Sequence, residues 1–258
     1  MKNILVPIGS IENGINNLRY ATSFAAMTNA RIYVTCIKTL TTELILKEVL
    51  DNVSTKDVQV VSKTISGDIF EGVSQLSKSL KIDLIILSPQ SVEIKDEVYL
   101  GKVTTKIIRQ TDIPLLIVPP NYLFRKIDTI LFAFKNSKIE TTRASQTLKA
   151  ILDMFHAKLD LLQVVTPDTS GNDLQIKPEL TALMSREVTS ENATVFQGIV
   201  EHFNSLNPEM LCVLRRKDTG GFFKKLLRQS EVILKEQFFT TKRLTLALSG
   251  DHCPRYLE

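Results

Sequence analysis

Short apolar, β-branched runs alternate along the chain with longer stretches in which apolar residues return every three or four positions. In the first half Ile4-Leu-Val-Pro7, Ile32–Ile37, Val58–Thr64, Leu84–Leu87 and Leu115–Val118 read as strands. Between them Ile15–Thr28, Thr42–Leu50, Ile69–Leu80 and Lys102–Arg109 read as helices. In the first of these Leu18, Ala21 and Ala25 share one face, which favours helix over strand. Strands joined by helical crossovers predict a parallel sheet covered on both faces. Pro119-Pro120 then stops the pattern.

The pattern restarts at once. Ile130-Leu-Phe-Ala133 echoes Ile4-Leu-Val-Pro7, Ala157-Lys-Leu-Asp-Leu161 echoes Ala30-Arg-Ile-Tyr-Val34, and Glu209-Met-Leu-Cys-Val213 echoes Asp83-Leu-Ile-Ile-Leu87, at offsets of 126 or 127 residues. Such regular spacing predicts a tandem repeat with one domain over residues 1–121 and a second, more divergent one over 122–258. In the second, Ser137 and Glu140 form a capping-box pattern ahead of a helix whose Ala144, Leu148, Ile151, Leu152 and Phe155 share a face. Residues 166–177 are the least patterned and read as a long loop.

Composition narrows the class. With 43% apolar and 23% charged residues over 258 positions, the chain has the balance of a globular protein of one or two domains. No apolar run approaches the roughly 20 residues of a membrane-spanning helix. The start, Met1-Lys-Asn3 leading straight into a strand, lacks the pattern of a secretory leader. Cys36, Cys212 and Cys253 are odd in number and far apart, and the first two lie in apolar strands, so buried thiols are expected and not a disulfide framework. A reducing cytoplasm is the expected location. The net charge of +4 is too small to indicate a nucleic-acid binder, and no membrane association is expected. The positive charge concentrates in Arg215, Arg216, Lys217, Lys224, Lys225 and Arg228, which flank Gly220-Gly221. This cluster reads either as a solvated loop or as a surface for an acidic partner or anion.

The opening Lys2-Asn-Ile-Leu-Val-Pro7, the helical Asn17-Leu-Arg-Tyr-Ala21 and the long segment from Leu100-Gly-Lys102 to Leu115-Leu-Ile-Val118 together resemble the universal stress protein family. The resemblance spans both halves and is stronger in the first. It implies two five-stranded parallel sheets of strand order 3-2-1-4-5 with helices on both faces, the two domains forming a pseudo-dimer within the chain through their fifth strands. It also implies an adenine-nucleotide site in the members that carry a Gly-x-x-Gly, nine residues, Gly-Ser/Thr motif and a Pro-x-Asp after the first strand. Here the spacing fits and the residue types do not. Pro7 is present but Gly9 stands at the Asp position, Ser88 and Ser91 stand at the paired glycines, and Gly101 is followed by Lys102 in place of a hydroxyl. Ile37 falls where the family places an apolar contact to adenine. In the second half Lys135 takes the Asp position and Gln229-Ser230 replace Gly-Ser.

Pro7, Gly9, Ile37, Ser88, Ser91, Gly101 and Lys102 therefore outline a degenerate nucleotide pocket, and no bound cofactor is expected. No Walker loop, zinc-protease helix or nucleophile elbow is present. His156, His202 and His252 form no constellation, Ser10 has no evident base, and His252-Cys253 make a poor metal site. The expectation is a non-enzymatic cytoplasmic regulatory module of the stress-response type acting on an unknown protein partner, as a monomeric pseudo-dimer or a homodimer. The alternative is an ATP-binding switch that uses the first domain. A third class, an adenylating enzyme of the wider α/β fold, would need a Gly-rich Ser-Gly-Gly-x-Asp-Ser loop that Pro7-Ile-Gly-Ser-Ile-Glu12 does not supply.

Overall fold

The computed structural model describes residues 1–88, 92–94, 97–99, 107, 111–119, 121–135, 142–169, 176, 178–215 and 243–249. The chain divides into two compact units between Arg125 and Lys126, against a boundary expected between residues 121 and 122. The difference has a packing cause: the rings of Tyr122 and Phe124 lie 6.1 and 5.3 Å from that of Tyr20, and the Arg125 guanidinium sits 5.2 Å from the Tyr122 ring. These contacts join residues 122–125 to the first unit.

In the first unit the strands are β1 (Asn3–Pro7), β2 (Arg31–Ile37), β3 (Val60–Ile65), β4 (Leu84–Leu87), a small pair β5 (Val92–Ile94) and β6 (Glu97–Tyr99), and β7 (Leu115–Ile117). The helices are α1 (Ile11–Thr28), α2 (Thr42–Asp51) and α3 (Ile69–Ser79). The main sheet runs β3-β2-β1-β4-β7, with all pairs parallel. Ile4, Leu5 and Val6 of β1 are wholly buried, as a central strand covered on both faces requires.

Three details depart from the sequence reading. α1 begins at Ile11, four residues before the apolar periodicity becomes visible, because its first turn carries Glu12, Asn13 and Gly14. β3 starts at Val60 in place of Val58. The stretch from Leu87 to Lys102, read as a plain strand-to-helix loop, contains the antiparallel pair β5–β6, in which Val92 faces Tyr99 and Ile94 faces Glu97. Val92 and Ile94 in one segment and Val98 and Tyr99 in the other give strand propensity. The helix expected over 102–109 falls, apart from Ile107, outside the described residues, as does the capping pair Ser137 and Glu140.

In the second unit the strands are β8 (Thr129–Phe134), β9 (Lys158–Val165), β10 (Met184–Glu191), β11 (Met210–Arg215) and β12 (Leu244–Ser249), with helices α4 (Thr142–Phe155), α5 (Pro178–Thr181) and α6 (Val195–Leu206). Its sheet runs β10-β9-β8-β11-β12, again parallel throughout. Matching details recur in both units. The Asp83 carboxylate accepts the backbone N–H groups of Lys2 and Asn3 at 2.6 and 3.0 Å, and Glu209 accepts that of Thr129 at 2.8 Å. Gly72 of α3 and Gly198 of α6 each press against a strand side chain: a Cβ would stand 2.1 Å from Ile65 Cγ2 in the first and 2.6 Å from Val164 Cγ2 in the second. Of the region 166–177 read as one long loop, Thr166–Thr169 form a turn, and the short helix Pro178–Thr181 follows the region.

Candidate ligand cavity of the first unit

β1 lies between β2 and β4, so the chain leaves the sheet in opposite directions from neighbouring strands, and a crevice opens past their C-terminal ends. A cavity of about 270 Å³ occupies this place. Pro7, Ile8 and Gly9 bring the end of β1 to it, Cys36 and Ile37 the end of β2, and Leu87 and Ser88 the end of β4. Asn13 and Asn17 line it from α1, Thr39, Thr42 and Ile45 from the start of α2, and Ile107 from the far wall.

Gly14 permits this arrangement. A Cβ there would stand 2.8 Å from Ile8 Cγ2 and 2.9 Å from Val49 Cγ2, so only glycine lets α1 settle this close to α2 and the end of β1. The loop from β2 to α2 is held by its own hydroxyls: Thr42 Oγ1 donates to the Ile37 carbonyl at 2.7 Å and accepts from the Thr39 N–H at 2.6 Å. Burial pushes the Cys36 thiol above its usual pKa, and the nearby Thr42 hydroxyl only partly counters this. The raised pKa keeps that thiol protonated near neutral pH.

Of the residues implied by the resemblance, Pro7, Gly9, Ile37 and Ser88 line one cavity. Gly9 is exposed and offers no side chain, and Ile37 stands at the rim. Ser88 is buried, and its hydroxyl donates to the Val118 carbonyl at 2.5 Å, tying β4 to the end of β7. It is a structural cross-link between strands. Ser91, Gly101 and Lys102 lie outside the described residues.

Sequence reasoning missed Asn13, Asn17, Thr39, Thr42 and Ile45. Asn17 had a signal: it stands with Gly14, Leu18 and Ala21 on the stripe of α1 that faces inward, where an apolar residue is the rule. It is 4% exposed, and its Oδ1 has no hydrogen-bond partner. Tyr20, Thr35 and Ser77 also hold unpartnered buried oxygens, but among these four residues only Asn17 lines the cavity.

The corresponding place in the second unit is built differently. Lys135, just past β8, donates through Nζ to the Asp168 carboxylate at 2.6 Å and to its carbonyl at 3.1 Å. The Thr166 hydroxyl donates to the other carboxylate oxygen at 2.7 Å. Lys135 and then Thr166 hold the Asp168 carboxyl down to a pKa of about 2. An internal ion pair thus spans the end of β8 where the first unit has Gly9 and an open cavity.

The basic cluster requires a correction. Arg215 is not part of a surface loop: it is the last residue of β11, 1% exposed, with its Nε donating to the Ala247 carbonyl at 3.3 Å. The pairing of β11 with β12 extends through Arg215 and Ser249 and draws the residue into the sheet. Arg216, Lys217, Lys224, Lys225 and Arg228 lie outside the described residues.

The first unit is an α/β domain with a parallel sheet, and its cavity lies at the switch point where open α/β sheets commonly take ligands. Residues 38–119 match the family model described as the Universal stress protein family. The whole chain is similar in fold to a universal stress protein from Archaeoglobus fulgidus, at 17% identity and a TM-score of 0.71, covering 96% of this chain and 98% of the other. A functionally unknown protein from Pseudomonas aeruginosa is similar at 13% identity and a TM-score of 0.62, with 97% and 93% covered. The cytoplasmic domain of a prokaryotic cation chloride cotransporter shares the fold at 11% identity and a TM-score of 0.58, with 95% and 94% covered. No curated protein matches the chain in sequence. Among the described residues no helix is long and apolar enough to cross a membrane.

Proposed function

We propose that the protein is a non-catalytic cytoplasmic stress-response module that acts through protein contacts, and that its first domain no longer holds ATP. The observation that carries this reading is Gly9 at the end of β1, exposed beside the cavity where an adenosine-binding relative would present a carboxylate. Each charged or buried hydrogen bond left unmade costs on the order of 1–3 kcal/mol, so this loss alone weakens binding by about tenfold or more. Ser88 adds to it, because its hydroxyl serves the Val118 carbonyl. Calorimetry with ATP and magnesium on the intact chain tests the proposal: no saturable heat below ~1 mM supports it, and a low-micromolar Kd overturns it.

The second reading, an adenine-nucleotide switch in the first domain, is favoured by the persistence of the cavity of about 270 Å³. The same titration separates the two. We also propose that the two domains pair within the chain through their terminal strands β7 and β12, because an apolar end strand left open invites aggregation. Small-angle scattering from two separated beads would contradict that pairing. The basic residues Arg216, Lys217, Lys224, Lys225 and Arg228 are a candidate surface for an acidic partner. Lys224→Glu with Lys225→Glu should then abolish a pull-down partner while leaving the thermal midpoint nearly unchanged.

A further inference from the structure

We propose that the turn between β2 and α2 of the first unit is a docking surface for a second copy of this chain, with Leu40 and Leu44 at its centre. Both leucines lie outside the cavity lining, so the surface is independent of any nucleotide.

Leu40 is 103% exposed and Leu44 67%, and they stand within one turn of each other at the start of α2. Leu40 precedes the cap residue Thr41, a place from which an apolar side chain commonly folds back onto the first turn, and here it points into water instead. The turn itself is fixed. The Thr39 N–H donates to Thr42 Oγ1 at 2.6 Å, and that hydroxyl donates to the Ile37 carbonyl at 2.7 Å. A leucine held out by a fixed turn loses little freedom when it docks.

The second unit shows that the turn does not need the leucine. Thr166 and Thr169, at an offset of 127 residues, repeat the pattern: the Thr166 N–H donates to Thr169 Oγ1 at 2.8 Å, and the paired hydroxyls stand 3.0 Å apart in both units. Between them the second unit carries Pro167 and Asp168 where the first has Leu40 and Thr41. The exposed leucine is therefore a property of the first unit and not of the repeat.

Charge identifies the occupant. The order along the turn and helix is Lys38, Leu40, Leu44, Glu48: a cation, two leucines and an anion, all exposed. Turned about a twofold axis this order meets itself, leucine on leucine and each Lys38 on the Glu48 of the other copy. Glu43 and Lys47, also exposed, have the i, i+4 order that pairs favourably within one helix. These four charges cancel, so the patch draws neither a strongly acidic nor a strongly basic partner. Two leucines fall well short of the roughly 800 Å² per partner of a stable interface, which makes the pairing weak and dependent on concentration.

The test is sedimentation equilibrium of the intact chain from about 5 to about 500 µM, a range that straddles a weak dimer. The mean mass should rise from one chain toward two, with a Kd of roughly 10 to 500 µM. Leu40→Asp should stay a single chain throughout, and its thermal midpoint should not move, because that side chain is fully exposed. Lys38→Glu and Glu48→Lys should each weaken self-association about fivefold or more. An equimolar mixture of these two variants should recover it, since opposite charges then face each other at both ends. A single chain at every concentration overturns the inference. So does a dimer that survives Leu40→Asp, as one joined through terminal strands would, or a mixture no tighter than its two components. None of these results bears on ATP, which the separate titration decides.

Discussion

Asn17 holds a buried oxygen without a hydrogen-bond partner at the cavity wall. A buried polar atom left unpaired costs about 1–3 kcal/mol, so in the absence of ligand Asn17→Leu should raise stability by an amount of that order, measured as a higher midpoint in urea unfolding. Unchanged or reduced stability would mean that the amide is already satisfied. Ser88 works in the opposite sense: Ser88→Ala leaves the Val118 carbonyl without its donor and should lower stability by about 1 kcal/mol. A Gly9→Asp, Ser88→Gly, Ser91→Gly variant built to restore nucleotide binding therefore carries a folding cost that Gly9→Asp alone does not. The family resemblance pointed to Pro7, Gly9, Ile37 and Ser88, and all four line one cavity. It did not show which of them are already committed to other groups. Hydroxyl pairing such as Ser88 to Val118 joins positions 30 residues apart, and nothing local encodes it. Arg215 was misread for a related reason: its neighbours Arg216 and Lys217 resemble loop residues, whereas strand pairing with Ser249 decides its environment.

At the level of elements, two helices depend on glycine for their distance from the sheet. A Cβ on Gly72 or Gly198 would overlap Ile65 or Val164, and each alanine substitution should destabilise by about 1–3 kcal/mol despite alanine's better helix propensity. Chemical unfolding of the two variants checks this, and a neutral result would mean that the helix shifts freely. The turn after β9 is held to the end of β8 by Lys135 and Asp168. The Asp168 carboxyl, at about 2, lies below the usual ~3.9 of an unfolded aspartate. Its contribution is therefore present above roughly pH 4 and is lost as pH falls through about 2. The pair is solvent-exposed and screened, so Asp168→Asn should leave stability near neutrality almost unchanged. A carboxyl titration of Asp168 by NMR with its midpoint near 4 would contradict the pairing. Strand and helix order were legible because period-2 and period-3.6 patterns alternate cleanly here. The β5–β6 pair was not, since segments this short fall below what periodicity can resolve.

On the scale of the whole molecule, the two units carry the same strand order but different chemistry past the first strand of each. The first has Gly9 beside an open cavity, and the second has Lys135 in an internal ion pair. The family resemblance was readable in the first half because Lys2–Pro7, Asn17–Ala21 and Leu100–Val118 carry it and Ser88 to Lys102 keeps the spacing of a nucleotide loop. The second half keeps the repeat in its apolar runs and in details such as Glu209 standing where Asp83 stands. The proposed loss of ATP binding in the first unit can be tested without any added ligand. The most direct measurement is the nucleotide content of freshly isolated intact protein, by denaturation and mass spectrometry. With binding lost, ATP should be found far below one molecule per chain; close to one ATP per chain would contradict the loss.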